Sequence, residues 1–248
     1  MERQQPGSHL SQMATLWSVV GRAHHGPAEG VNAARQQLWE RYGGAVRRYL
    51  LGALRDEDGA DELGQEFALR FLRGDFRRAD PARGRFRDFV KTALFHLVVD
   101  HQKRQRARPR SLSQEIEEPA VEPSSVLTSD RQFADSWRDE LLARAWELLA
   151  AAQEKTGRPS FAVLRFRADN PNLPSSEMAA RLSAQLGRPF TAAGVRQALH
   201  RAREEFADLL LEQVAQSLAV PTPERIEEEL SDLGLLAYCR PALKRRRD

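Results

Sequence analysis

Between Arg70 and Arg110 the chain carries 13 Lys or Arg against 4 Asp or Glu. Such a bias does one kind of chemistry well. Guanidinium and ammonium groups neutralise phosphates through charge-assisted hydrogen bonds. The segment ends in a purely basic run, Lys103, Arg104, Arg106, Arg108 and Arg110, and Phe76, Phe86, Phe89 and Phe95 are interleaved with it. A basic groove with aromatic rings is how single strands are held. Phe86 and Phe89 also fit a buried helix stripe, so for them a core role is expected. A second basic segment follows at Thr191–Phe206. With Val195, Leu199 and Ala202 turned inward, Arg196, Gln197, His200, Arg201 and Arg203 lie outside, where Arg can read guanine and Gln adenine. Two basic helices on one chain suggest a grip on nucleic acid at two places.

Bond-making chemistry has no comparable signal. His24 and His25 are adjacent rather than helix-spaced, and His96 and His101 lack Cys or carboxylate partners at metal-ligand spacing. No nucleophile–base spacing stands out. The expectation is a protein that is not an enzyme and that has no catalytic residues, metal or cofactor.

The whole chain, 248 residues with a net charge of +3, is no simple polycation; its charge is blocky. Sparse aromatics and abundant Ala, Leu, Arg and Glu favour helices. A single cysteine, Cys239, allows no intrachain disulfide and fits a reducing compartment. The first residues lack the apolar core of a signal peptide, and no apolar run is long enough to span a bilayer. A cytoplasmic location is therefore expected.

The elements that must position the basic residues read as an all-α chain. Val31, Ala34, Leu38, Tyr42, Ala45, Tyr49 and Ala53 form one amphipathic stripe, with Gly43-Gly44 as a soft spot. Asp58-Gly59 starts a second helix with Ala60, Leu63, Phe67, Phe71 and Leu72, which Gly74 stops. After a basic loop with Asp80-Pro81, a third helix runs from about Phe86 to Arg106, its inner face at Phe86, Phe89/Val90, Ala93, Leu97 and Val98, and Pro109 cannot continue it. Residues 111–130, with Glu115, Glu117, Glu118, Glu122 and two prolines, read as an acidic flexible linker. A long helix from about Arg131 to Lys155 follows, then a short one over Phe161–Phe166. Ser175 is expected to cap a helix that Gly187 closes, and Thr191 to cap the last long helix. The expected division is a disordered extension at 1–15, a domain at 16–110, the linker at 111–130, a helix-turn-helix domain at 131–217 and a tail at 218–248.

In this order, these strings resemble the sigma-70 family of RNA polymerase factors, of the extracytoplasmic-function type. Gly59-Ala-Asp-Glu-Leu-Gly-Gln-Glu-Phe-Ala-Leu-Arg-Phe-Leu resembles region 2.2, which contacts the clamp helices of core RNA polymerase. Gly84-Arg-Phe-Arg-Asp-Phe-Val through Asp100-His-Gln-Lys-Arg resembles regions 2.3 and 2.4, which melt and read the minus-10 element. Val195-Arg-Gln-Ala-Leu-His-Arg-Ala-Arg resembles the region 4.2 recognition helix that reads the minus-35 element. The resemblance covers roughly residues 16–215. It implies two helical domains, a region 2-like bundle and a region 4-like helix-turn-helix, in a factor that binds core RNA polymerase, directs it to specific promoters and aids their melting. It assigns polymerase binding to Asp61, Glu62, Leu63, Gln65, Glu66, Phe67 and Arg70. It assigns DNA binding to Arg85, Arg87, Lys91, His96, Lys103, Arg104 and Arg106, and to Thr191, Arg196, Gln197, His200, Arg201 and Arg203. Implied partners are core RNA polymerase and promoter DNA, with an anti-sigma factor as a further one, and the free chain would be a monomer. His96, Phe89 and Ala198 depart from the family's common Asn, Trp and basic residue, which bears on the promoter sequence. The alternative is a stand-alone helix-turn-helix regulator of transcription.

Overall fold

The computed structural model describes residues 28–73, 85–107 and 123–247. Gly74, Phe76, the Asp80-Pro81 loop, Arg108–Arg110, residues 1–15, most of the expected linker, and the side chains of Val31, Ala34, Leu38 and Leu72 lie outside them. Among the described residues all regular structure is helical: α1 Ala28–Leu54, α2 Glu57–Arg73, α3 Phe86–Ala107, α4 Pro123–Thr156, α5 Ser160–Asp169, α6 Ser175–Leu186, α7 Ala192–Ser217, α8 Pro223–Asp232 and α9 Leu236–Arg247.

The chain divides into two compact units: Met1–Glu140 with Ala215–Arg225, and Leu141–Val214 with Ile226–Asp248. This division differs from the sequence expectation in two respects. Helix α4 starts at Pro123, inside the stretch expected to be a linker, and its residues up to Glu140 belong with the first unit. Proline is tolerated at a first helical position, because the N–H it lacks has no intrahelical acceptor there. The residues from Ile226 onward, expected as a tail, belong to the second unit and bury Ile226, Leu230, Leu233, Leu235, Cys239, Ala242 and Leu243.

In the first unit, α1 packs on α2 and α3. Tyr42, Ala45, Val46, Tyr49 and Leu50 are buried from α1, Ala60, Leu63 and Phe67 from α2, and Phe86, Val90, Leu94, Leu97 and Val98 from α3. Leu94, rather than the half-buried Ala93, continues the α3 stripe. Helix α4 adds the largest rings: Trp137 stacks on Tyr42 with centroids 4.6 Å apart and lies near Phe86 and Phe133, and Phe133 meets Tyr49 edge-on. Helix α1 passes unbroken through Gly43 and Gly44, the expected soft spot. A Cβ at Gly44 would strike the carboxylate of Glu140, which accepts a hydrogen bond from Arg48 at 2.6 Å. The second helix is capped by Asp56, not begun by Asp58-Gly59: Asp56 Oδ2 accepts the Gly59 N–H at 3.0 Å.

The second unit buries Leu141, Ala145 and Leu149 of α4, Val163 and Leu164 of α5, Met178, Ala179 and Leu182 of α6, and Val195, Leu199, Ala202, Phe206 and Leu210 of α7. Phe206 packs against Trp146 and, from the other side of the sequence, Tyr238 of α9. Arg167 ties the loop between α5 and α6 by donating to the carbonyls of Pro171 and Leu173 at 3.0 and 2.8 Å. Gly234, at φ 69°, turns α8 into α9. Its N–H reaches Ser231 O, and the Leu235 N–H reaches Leu230 O, a Schellman pair that a left-handed residue makes possible. Thus α9 is folded back by local geometry rather than trailing.

Candidate nucleic-acid interface

Helix α7 displays its basic residues where the sequence places them. Val195, Leu199 and Ala202 are buried, while Arg196, Gln197, His200, Arg201 and Arg203 are all exposed. Thr191 caps the helix through Oγ1, which accepts the Gly194 N–H at 3.0 Å. Ser175 does not cap α6; it is the first helical residue, preceded by Pro174, and no side chain caps that end. Between the two helices Gly187 adopts φ 62°, a left-handed C-cap. Ser183 stitches the connection: its Oγ donates to Ala179 O at 2.6 Å and accepts the Phe190 N–H at 2.8 Å. The buried Met178 and Leu182 of α6 complete the motif's core. The start of α7 is thus fixed in place while its basic side chains stay exposed. Beside it, a groove of about 520 Å³ runs between the start of α5 and α7; Arg158 and Arg201 line it together with Glu204, Glu205, Asp208 and Glu212, so its lining is acidic on balance.

In the first unit the expected polymerase face divides. Leu63 and Phe67 are buried, 0 % and 7 % exposed, because with Ala60 they form the i, i+3, i+7 stripe that meets the core. Asp61, Glu62 and Gln65 are exposed, and Leu69, not singled out from the sequence, joins them at 49 % exposure. The signal for Leu69 was its i+4 spacing from Gln65, opposite the buried stripe. Asp61 accepts from Arg47 Nε at 2.9 Å, and Arg47 also holds Glu57. The hydrogen bond to Asp61, then that to Glu57, raises the Arg47 pKa.

The expected DNA-binding residues of α3 also divide. Lys103, Arg104, Arg106 and His96 are exposed, and His96 sits edge-on to Phe95. Arg85 is half-buried. Arg87 is only 8 % exposed, turned into the protein one position after the core ring of Phe86, and is not displayed to a phosphate. Lys91 pairs with Asp130 at 3.3 Å.

Glu66 brings the two expected sites together. Its carboxylate accepts from Arg70 at 2.6 Å and from Arg104 at 3.0 Å. Partial burial by itself raises the carboxyl pKa, but the hydrogen bonds and charges of Arg104 and Arg70 outweigh it and hold Glu66 below the ordinary glutamate value of 4.5. A depressed folded-state pKa stabilises the fold above the unfolded value and loses that contribution as pH falls through the folded one. Glu66→Gln is therefore expected to cost up to about 1 kcal/mol at neutral pH, since the pairs are partly exposed. That cost should shrink as pH drops below 4.5. Urea midpoints of both proteins across that range test it; an offset that does not shrink on acidification excludes the ion-pair account.

Cys239 is buried, and burial pushes its thiol up to about 12. Among the described residues no group of three His, Cys, Asp or Glu side chains is placed to hold a metal ion, and no helix is long and apolar enough to cross a membrane. Compared with known proteins, the chain matches no family model, no curated protein and no solved structure.

Proposed function

We propose that this chain is a transcription initiation factor of sigma type, which binds core RNA polymerase and directs it to promoters through minus-10 and minus-35 elements. The observation that carries this reading is a pairing on one chain. The head of α7 is exposed and basic within a helix-turn-helix, and α2 separately exposes a mixed stripe of Glu62, Gln65 and Leu69. A duplex reader has use for the first; the second, polar and apolar on one helix face, suits a protein partner. In this reading the basic end of α3, Lys103, Arg104 and Arg106, holds opened DNA, and the resemblance stated above supplies the order of the parts. On the same reading the protein acts in the cytoplasm, without catalysis of its own, and an anti-sigma factor is a further partner that the resemblance implies.

A pull-down with core RNA polymerase, followed by transcription from the DNA upstream of its own gene, tests the reading. Glu62→Ala with Gln65→Ala is expected to abolish co-purification while leaving the helical circular-dichroism signal and melting temperature unchanged, because both side chains are exposed. Undiminished co-purification would remove the assigned face. The exposed face of α7 also favours a second reading, a stand-alone regulator. Salt-sensitive binding to duplex DNA, with no polymerase association by the unaltered chain, would establish that one instead.

A further inference from the structure

The exposed side of α7 changes sign along its length. At helical spacing Arg201 is followed by Glu204, Asp208 and Glu212. At 1.5 Å per residue, Glu204 lies about 18 Å and Glu212 about 30 Å beyond the start of the helix, further than the roughly 12 Å width of a major groove. A helix whose head sits in the groove carries these residues past the phosphate backbone, where carboxylates repel. Helix α9 meets them. Arg245 donates to Glu204 at 3.1 Å and to Asp208 at 3.3 Å, and Arg246 lies 3.5 Å from Glu212 and donates to Asp208 O at 3.2 Å. Tyr238 fixes α9 from the other end, with its ring on Phe206 and its hydroxyl 3.4 Å from Arg203 O.

We infer that the basic end of α9 is a component of the duplex-binding surface: Arg245 and Arg246 cancel the carboxylates of α7, so that the helix can run past the phosphates. This rests on the reading of α7 as a duplex-binding helix. It assigns the segment expected as a tail to the same surface as the recognition helix. The charges support it, for α9 carries Arg240, Lys244, Arg245, Arg246 and Arg247 and no acid, opposite the acidic half of α7.

The test is fluorescence anisotropy of a labelled duplex titrated with the full chain over a series of salt concentrations, alone and with core RNA polymerase. Arg245→Gln with Arg246→Gln should weaken binding about tenfold at low salt, a deficit that shrinks as salt screens the uncovered carboxylates and so flattens the salt dependence. Adding Glu204→Gln, Asp208→Asn and Glu212→Gln to that variant should restore affinity to within about threefold, since the repulsion is then gone. The three acid substitutions alone, which do not depend on how firmly α9 stays docked, should tighten binding. Unchanged affinity and slope in both the arginine variant and the acid variant, beside normal binding by the unaltered chain, overturns the inference and leaves the reading of α7 standing. No salt-sensitive duplex binding by the unaltered chain under either condition overturns both.

Discussion

Alanine at both Arg196 and Arg201 is expected to lower initiation at a cognate promoter by about 30-fold or more, while leaving the amount of bound polymerase unchanged. A bidentate contact between arginine and a base edge discriminates by about 1–3 kcal/mol, and two such contacts by at least about 2 kcal/mol, which is roughly 30-fold. The fold should not register the change. Both side chains are exposed, and α7 is anchored by Val195, Leu199, Ala202, Phe206 and Leu210, its start by the Thr191 cap. The loss should be larger on the cognate sequence than on scrambled DNA, because base contacts specify whereas phosphate contacts only position. Single-round transcription, with polymerase pull-down and a thermal melt of the same variant, reads all three. A normal transcript level would remove α7 as the recognition helix. A proportional fall in polymerase binding would place these arginines on the other interface.

What could be read from the sequence depended on how local its physical cause was. The stripe of α7 and the Thr191 cap are set by residues within a turn or two of each other, and hydrophobic period and capping chemistry report on them directly. The α3 stripe was legible but shifted. Ala93 and Leu94 are neighbours separated by 100° on the helix, and the larger one takes the core. The expected polymerase-binding set included Leu63 and Phe67, whose i, i+4 spacing instead puts both in the core. Other features depend on distant residues. The two glycines of α1 look like a weakness until Glu140 is seen to occupy the space above Gly44. The sum of prolines, serines and glutamates over 111–130 suggested coil, yet a helix begins at Pro123 and reaches Trp137. The residues after 218 were expected as a tail because they lie outside the two domains that the resemblance covers; the acidic helix α8 is legible in the sequence, whereas the Schellman turn at Gly234 that redirects the chain into α9 is not. Arg87 reads as a phosphate ligand by composition, and nothing local signals its burial.

Trp137→Ala should destabilise the first unit by about 3–5 kcal/mol, a large part of the total of about 5–15 kcal/mol that holds a domain together. Trp137 is fully buried, its ring 9° from parallel with Tyr42 and within 6.2 Å, centroid to centroid, of Phe86 and Phe133. Its removal takes ring neighbours from α1 and α3 at once, and no flexible side chain lies among those partners to refill the space. Trp39, 44 % exposed on the same helix as Tyr42, provides the contrast, and Trp39→Ala should cost less than about 1 kcal/mol. Urea unfolding followed by circular dichroism distinguishes the two. The comparison bears on function as well as stability. If residues 131–140 complete the core on which α2 and α3 rest, a chain cut at 110 loses the Tyr42 and Tyr49 partners Trp137 and Phe133, and should not hold the Glu62–Gln65–Leu69 stripe in place. A cost for Trp137→Ala no greater than that for Trp39→Ala would mean that α4 is dispensable to the first unit, and that the expected boundary at 111–130 is the true one.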